Sequence, residues 1–129
     1  MKQMILDPDQ PLSDLARVEP YWYIATPYTK YQKGVQEAFE EACAAAAIMI
    51  RAGYRVFSPI AHTHSIAVYG EIPLADHNIW LPADRPFMDT AGGLVVVKME
   101  GWDSSVGVLH EIDVFNKAKK PIEYLVPMG

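Results

Sequence analysis

The fold is decided by residues 92–97, which run Gly92-Gly93-Leu94-Val95-Val96-Val97 without a polar side chain. A short, continuous apolar run of this kind is typical of a strand buried on both faces, as the strands of a parallel sheet are. Two further strands are predicted nearer the N-terminus, at residues 21–26 and 54–58, and Pro27 and Pro59 end them. A fourth strand is predicted at residues 121–126.

Helices are predicted between these strands. Residues 33–52 carry apolar or small side chains at helical spacing, and Gly53 follows them where a left-handed cap is favoured. Another helix is predicted at residues 106–118. The intervening residues 60–91 are polar and rich in His and Pro, and we expect two short helices there.

Strands and helices in this order indicate the α/β class. They predict a doubly wound sandwich, flavodoxin-like or Rossmann-like, with a mostly parallel sheet of four to five strands. The 129 residues, half of them hydrophobic, suit a single domain at 1–129, with an N-terminal extension at 1–20 and an α/β core at 21–126. Ligands of such folds bind beyond the carboxyl ends of the strands, which points to the loops after Thr26 and Lys98.

Composition excludes several classes of partner. A net charge of −5 argues against a protein that grips a nucleic acid polymer through its phosphates. No apolar stretch reaches the ~18 residues that cross a bilayer, and the first residues lack the apolar block of a signal peptide, so we expect a cytoplasmic protein without a membrane partner. Cys43 is the single cysteine, which leaves no internal disulfide, and we expect it to pack within the first helix.

The most informative stretch covers residues 101–111, Gly101-Trp102-Asp103-Ser104-Ser105-Val106-Gly107-Val108-Leu109-His110-Glu111. Ser104 or Ser105 can cap the helix, Gly107 allows close backbone approach, and Glu111 falls within the first two turns. The helix dipole then favours the ionised form of Glu111. An ionised carboxylate at a strand-to-helix turn suits a glycosidic nucleophile, which attacks an anomeric carbon. The alternative is a Glu on the helix surface.

A second carboxylate, Asp84, precedes the apolar run by a few residues. If residues 84–91 form a short helix, Asp84 lies at its far end and can face the same crevice as Glu111. Two carboxylates can divide the work, one attacking and the other handling the proton of the leaving base. The alternative is that Asp84 caps this helix, with Pro86 in the first turn. Asp89 and Asp103 are rival acids.

Four features together resemble the nucleoside 2-deoxyribosyltransferase superfamily over residues 21–126. They are the strand Tyr23-Ile24-Ala25 before a polar turn, Asp84 seven residues before Ala91, the run Leu94-Val95-Val96-Val97, and the pattern Ser105-x-Gly107-x-x-x-Glu111. The resemblance implies that Glu111 is the nucleophile that forms a glycosyl-enzyme intermediate, that Asp84 is the catalytic aspartate, and that Tyr23 helps to hold the nucleophile.

The resemblance also bears on the substrate and the assembly. It implies that Ser105 binds the sugar or its 5′-phosphate. Transferases of the superfamily carry an aspartate where Ser105 stands, and monophosphate hydrolases carry a serine, which favours a nucleotide hydrolase. A neutral serine beside the amides of a helix start accepts a phosphate that a carboxylate would repel. The resemblance further implies that no cofactor is needed and that the protein forms a homodimer or homotetramer.

Other residues are candidate substrate contacts. Thr26 and Tyr28 lie in the turn after the first predicted strand, and His62 and His64 follow the second. Two histidines so spaced can bind a metal, yet the sequence offers no further ligand beyond His77 or His110, so we predict no metal site. Trp102 is favoured over Trp80 as the ring that stacks on a base, because it lies in the predicted site loop.

The sequence therefore predicts hydrolysis or transfer of the N-glycosidic bond of a nucleoside or nucleoside 5′-monophosphate through a Glu nucleophile. The alternative is a non-catalytic nucleotide-binding or sensing module of the same fold.

Overall fold

A computed structural model describes residues 5–6 and 15–128. The strands are β1 Ile5–Leu6, β2 Trp22–Ala25, β3 Val56–Phe57, β4 Gly93–Val97, β5 Ile122–Leu125 and β6 Pro127–Met128. The α-helices are α1 Val35–Arg51, α2 Pro59–Tyr69, α3 His77–Thr90 and α4 Val106–Lys117, and a 3-10 turn spans Trp102–Ser104. Residues 1–4 and 7–14 of the predicted N-terminal extension lie outside the described residues.

Four strands form one parallel sheet in the order β3-β2-β4-β5. The central pair aligns Trp22 with Gly93 and Ala25 with Val96. The chain passes from β2 outward to β3, and from β4 outward to β5, so the strand order reverses between β2 and β4. This topology confirms the predicted doubly wound α/β fold. Strands β1 and β6 pair separately and antiparallel.

Alternate residues of the central strands enter two different cores, because side chains of a strand point to opposite faces. Trp22, Ile24 and Val95 pack with residues of α1, such as Met49. Tyr23, Ala25, Leu94 and Val96 pack on the other face with Met88 of α3 and with Val108 and Phe115 of α4. The sheet is thus covered on both sides, as its uninterrupted apolar runs predict.

The helix ends follow local signals. Gly53, just after α1, has a φ of 90°, the left-handed conformation predicted for it. Ser105 caps α4, and its Oγ accepts a hydrogen bond from the Val108 amide at 3.3 Å. Cys43 lies half-buried on α1, where burial raises the pKa of its thiol.

The two helices expected within residues 60–91 are present as α2 and α3, but α3 is longer than the helix at residues 84–91 that was considered for Asp84. Helix α3 begins after Asp76, whose carboxylate accepts from the Asn78 amide, and it continues through Pro82 and Pro86 to Thr90. Asp84 therefore lies in mid-helix and caps nothing. The two prolines concealed the continuity of this helix because each removes a backbone donor that a helix interior normally uses.

The segment before β2 packs against the amino-terminal end of the sheet. Trp22 Nε1 donates to the Ala16 carbonyl at 2.9 Å, and Tyr54 Oη donates to the Leu15 carbonyl at 2.6 Å. The Arg17 guanidinium donates to the Gly53 carbonyl and lies over the ring of Tyr54. Within residues 15–128, no helix is long and apolar enough to cross a membrane.

Candidate active site

A cavity of about 80 Å³ opens beyond the carboxyl ends of β2 and β4, where the strand order reverses. Its walls come from the loop after β2, from α2, from α3 and from the start of α4. This is the place where ligands bind in doubly wound folds, and it agrees with the position predicted from the sequence. At 10–15 Å³ for each water, the enclosed space holds several water molecules, which suits one small ligand.

The α4 wall presents one face of the helix. Gly107, His110 and Glu111 stand three and four positions apart, so they lie above one another on that face, and Ser105 precedes them. A Cβ added to Gly107 would meet no atom of the described residues within 4 Å. The missing side chain therefore leaves free space at the helix start instead of relieving contact with the fold.

The α3 wall is built in the same way. One stripe of this helix lines the cavity at helical spacing: His77, Trp80, Leu81, Asp84 and Met88. Trp80 is held in place by its Nε1, which donates to the Pro73 carbonyl at 2.9 Å. Pro82 and Pro86 are exposed and fall outside the stripe. Once the helix is known to begin at His77, the three- and four-residue spacing of these side chains identifies the face of α3 that lines the cavity.

Glu111 faces the cavity from α4, where its side chain is half-buried. The pKa of its carboxyl is raised to about 8, chiefly by burial, while the Tyr23 hydroxyl acts to lower it and the neighbouring Asp84 adds to the increase. The sequence predicted that the helix dipole would keep Glu111 ionised. The structure gives the reverse, because removal of the carboxyl from water outweighs the dipole.

Tyr23 extends from β2 beneath the two carboxyl groups. Its side chain is fully buried, between the rings of Phe57 and Phe115. Within residues 15–128 its hydroxyl has no partner of good hydrogen-bond geometry, yet it lies close enough to Glu111 to influence the pKa of that carboxyl. Burial first, and then the charges of Glu111 and Asp84, raise the pKa of Tyr23, so the phenol keeps its proton.

Asp84 approaches from α3. Its Oδ1 is buried and makes no hydrogen bond to any described residue. Burial raises the pKa of this carboxyl to about 6, and the nearby His62 opposes that change. Because the charges of Asp84 and Glu111 affect each other, the two carboxyl groups titrate as a pair.

The loop after β2 supplies Thr26 and Tyr28, both of which line the cavity. Thr26 Oγ1 is a third buried polar atom that lacks a partner in the described part of the chain. Tyr28 Oη lies 2.6 Å from His64 Nδ1. The structure thus brings together seven predicted site residues around one cavity: Tyr23, Thr26, Tyr28, Asp84, Ser105, Gly107 and Glu111.

The structure does not bring His62, His64 and Trp102 into this wall. The two histidines stand two positions apart on α2, so they point to different sides of the helix. His62 is exposed and packs near Phe57 and Phe87, whereas His64 is buried behind Tyr28. Trp102 packs against Tyr124 outside the cavity, with Lys98 Nζ over its ring.

The rival acids lie elsewhere as well. Asp89 is exposed and forms an ion pair with Arg85 at 2.8 Å, and Asp103 is exposed in the 3-10 turn. Trp80, placed below Trp102 by the sequence, is the tryptophan that lines the cavity. His77 and His110 line it too, and the sequence had considered them only as metal ligands. Among the described residues, no cluster of three or more His, Cys, Asp or Glu side chains is arranged to hold a metal ion.

Comparison with known proteins places the chain in a family without an established activity. The model of a family described as a domain of unknown function, DUF1937, matches residues 21–126. The chain belongs to this family, and the match has the same bounds as the predicted α/β core. No curated protein matches the chain.

Proposed function

We propose that this member of the DUF1937 family hydrolyses or transfers the N-glycosidic bond of a nucleoside or nucleoside 5′-monophosphate, with Glu111 as nucleophile. One observation carries the proposal. Three polar groups from separate elements meet at the cavity, the buried Tyr23 of β2 and the half-buried Asp84 of α3 and Glu111 of α4. Within the described residues Asp84 Oδ1 has no hydrogen-bond partner and Tyr23 Oη has none of good geometry, with only the Glu111 carboxyl close to it, although most buried polar groups in proteins are paired. Such atoms suit a polar ligand that supplies the missing bonds.

The carboxyl pair supports a division of labour. With pKa values raised to about 6 and about 8, Asp84 and Glu111 together retain one proton near neutral pH. At neutral pH the higher pKa of Glu111 places the shared proton on Glu111, so the reaction begins with transfer of that proton to Asp84, and a hydrogen bond from Tyr23 favours the Glu111 carboxylate that results. This arrangement provides an acid and a nucleophile at the same time.

The reaction then balances in two steps. Glu111 attacks C1′ as the bond from C1′ to the base breaks, and the Asp84 proton passes to the departing nitrogen. The glycosyl ester on Glu111 is released when water attacks C1′ and gives a proton to Asp84. If a second base enters in place of water, the same intermediate yields transfer.

The walls suit the two ends of such a substrate. Trp80 and Leu81 on α3 present an aromatic and an apolar surface for a planar base. Ser105 and the start of α4 present hydroxyl and amide donors for the sugar or its 5′-phosphate. Among the described residues none of those that line the cavity is Lys or Arg. A phosphate would therefore depend on Ser105 and the helix start.

Base release tests this proposal. The protein is incubated separately with the common ribo- and deoxyribonucleosides and with their 5′-monophosphates, and free base is followed by chromatography. We expect release from at least one substrate, and a loss of at least about 10³-fold in the Glu111→Gln variant because the amide cannot form the ester. Turnover of the variant near the wild-type rate would contradict the role of Glu111. Comparison of the two substrate sets separates a nucleosidase from a nucleotide hydrolase.

The second candidate is a non-catalytic nucleotide-binding or sensing module. The raised pKa of Glu111 favours it, because a protonated carboxyl can donate a hydrogen bond to a ligand but cannot attack C1′. This reading predicts that the wild type binds a nucleoside or nucleotide in calorimetry, releases no base, and keeps its affinity in Glu111→Gln.

A further inference from the structure

Tyr28 and His64 form a hydrogen-bonded pair that the proposed reaction leaves unused. Tyr28 lines the cavity, whereas His64 lies behind it and is only 6% exposed. Tyr28 Oη and His64 Nδ1 are 2.6 Å apart. The imidazole also stacks on the ring of Phe39 from α1, with ring centroids 4.2 Å apart and an angle of 17° between the planes. The orientation of His64 is therefore held from two sides.

The chemistry of the two groups decides which one donates. Burial lowers the pKa of His64, so its ring is neutral at neutral pH. A neutral imidazole nitrogen is a strong acceptor, and a phenol is a better donor than acceptor. The separation of 2.6 Å fits an O–H donor. These properties favour donation from Tyr28 to His64 Nδ1, with the imidazole proton on Nε2.

The direction of the Tyr28–His64 hydrogen bond determines which hydrogen bonds Tyr28 can form with a ligand. Once its only proton is engaged by His64, Tyr28 Oη can present only lone pairs to the cavity, and donation to His64 strengthens it as an acceptor. A hydroxyl group can bind such an oxygen. A phosphate oxygen or a base carbonyl would place one acceptor against another.

The position of Tyr28 indicates which part of the substrate it meets. Tyr28 and Ser105 both line the cavity and also border the same smaller neighbouring cleft, so they lie at the α4 side of the site. Trp80 and Leu81, the surface proposed for the base, belong to the α3 wall. We propose that the Tyr28–His64 pair determines specificity by accepting a hydrogen bond from a sugar hydroxyl. His64 acts as a positioning residue, and the inference rests on the proposed function for the identity of the sugar.

The direction of the hydrogen bond can be tested without a ligand. Nitrogen-15 NMR of the wild type distinguishes the two imidazole tautomers of His64. Comparison with the Tyr28→Phe variant shows how the Tyr28 hydroxyl affects the His64 resonances. We expect His64 to carry its proton on Nε2 and its Nδ1 resonance to shift when the phenol is removed. A proton on Nδ1 of His64 at neutral pH would overturn the inference.

Specificity is tested with adenosine and cytidine and their 2′-, 3′- and 5′-deoxy forms as probes. Binding is measured by calorimetry in a Glu111→Gln background, which prevents turnover. His64→Asn keeps an acceptor oxygen close to the place of Nδ1, whereas His64→Leu removes it. We expect loss of one hydroxyl to weaken binding about tenfold with His64 or Asn in place. With Tyr28→Phe the same loss should weaken binding less than about twofold, and with His64→Leu, where the phenol remains but is no longer strengthened as an acceptor, it should weaken binding less than with His64 in place.

Two results would overturn the inference: equal sensitivity of all four proteins to hydroxyl removal, or no dependence on any hydroxyl. Tyr28→Phe and His64→Asn change few atoms, so they keep the test valid if His64→Leu fails to fold. Failure of the proposed function can be distinguished from failure of this inference. A protein that binds in a hydroxyl-dependent way but releases no base loses the catalytic proposal and keeps this one.

Discussion

The two ends of the parallel sheet differ in whether their buried polar atoms are hydrogen-bonded. At the amino-terminal end, Trp22 Nε1 and Tyr54 Oη donate to backbone carbonyls at 2.9 and 2.6 Å. At the carboxyl end, Tyr23 Oη, Thr26 Oγ1 and Asp84 Oδ1 are buried and make no well-formed hydrogen bond within residues 15–128. Trp22 and Tyr23 are neighbours on one strand, yet their polar atoms differ in this respect. The comparison indicates that one end of the sheet holds the fold together and the other is kept for a ligand.

The largest expected effect is that of Asp84→Asn on catalysis. The proton donor is lost, so we expect kcat to fall about 10²–10⁴-fold. The melting temperature should stay the same or rise, because the change removes a buried carboxyl whose Oδ1 is unpaired within the described residues. The matched control is Asp89→Asn on the same helix, where an exposed ion pair contributes little. A large loss of stability with activity intact would contradict the assignment.

The pH dependence of kcat/KM should be bell-shaped, with a maximum near neutral pH. The pKa values of about 6 for Asp84 and about 8 for Glu111 set the two limits. Below the lower value both groups are protonated and the nucleophile is lost, and above the upper value both are ionised and the leaving base receives no proton. We expect about a tenfold fall for each pH unit beyond either limit. A profile flat from pH 5 to 9 would contradict the shared proton.

The packing at the two ends of the sheet can be compared at two glycines, Gly93 and Gly107. An added Cβ at Gly93 would lie 2.5 Å from a ring atom of Trp22 and 3.0 Å from the Pro121 carbonyl oxygen, whereas at Gly107 it would meet no described atom within 4 Å. We expect Gly93→Ala to lower the free energy of unfolding by about 1–3 kcal/mol. Gly107→Ala should leave it unchanged or raise it by up to about 1 kcal/mol, while it weakens ligand binding. Urea unfolding and calorimetry measure the two effects, and destabilisation by Gly107→Ala alone would reverse the comparison.

The smallest expected effects are those of two Tyr→Phe variants. They make the most direct comparison, because the same hydroxyl group is removed at each end of the sheet. Tyr54→Phe deletes a hydrogen bond to the Leu15 carbonyl and should lower the free energy of unfolding by about 1 kcal/mol without affecting activity. Tyr23→Phe deletes a hydroxyl that lacks a well-formed bond to the described residues, so stability should hold while kcat falls. Equal loss of stability in both variants would show that the two ends are alike.

Much of the fold could be predicted from local patterns. The apolar runs located all four strands of the parallel sheet, although β3 is limited to Val56–Phe57. The Ser105 cap and the apolar spacing after it located α4 to within a residue of its observed bounds. These features depend on side chains that are near one another in the chain, so hydrophobic periodicity and capping residues predict them directly.

The site was predicted less completely. The segment considered for α3 began at residue 84 instead of His77, because Pro82 and Pro86 contradict local helix preference, and tertiary packing of the inner stripe of α3 overrides that preference. Trp80 was ranked below Trp102 because Trp102 lies in the predicted site loop, and His62 and His64 were treated as one pair. Their separation follows from the start of α2 at Pro59, which places residues two positions apart on different sides of the helix.

By itself the sequence determined the α/β class, the parallel strands and the position of Glu111 near the start of a helix, since each depends on short-range pattern and burial. Only the tertiary structure decided which polar groups meet in the cavity and in which protonation state. Asp84 and Glu111 are 27 positions apart in the chain, and their raised pKa values arise from burial that both helices and β2 create together.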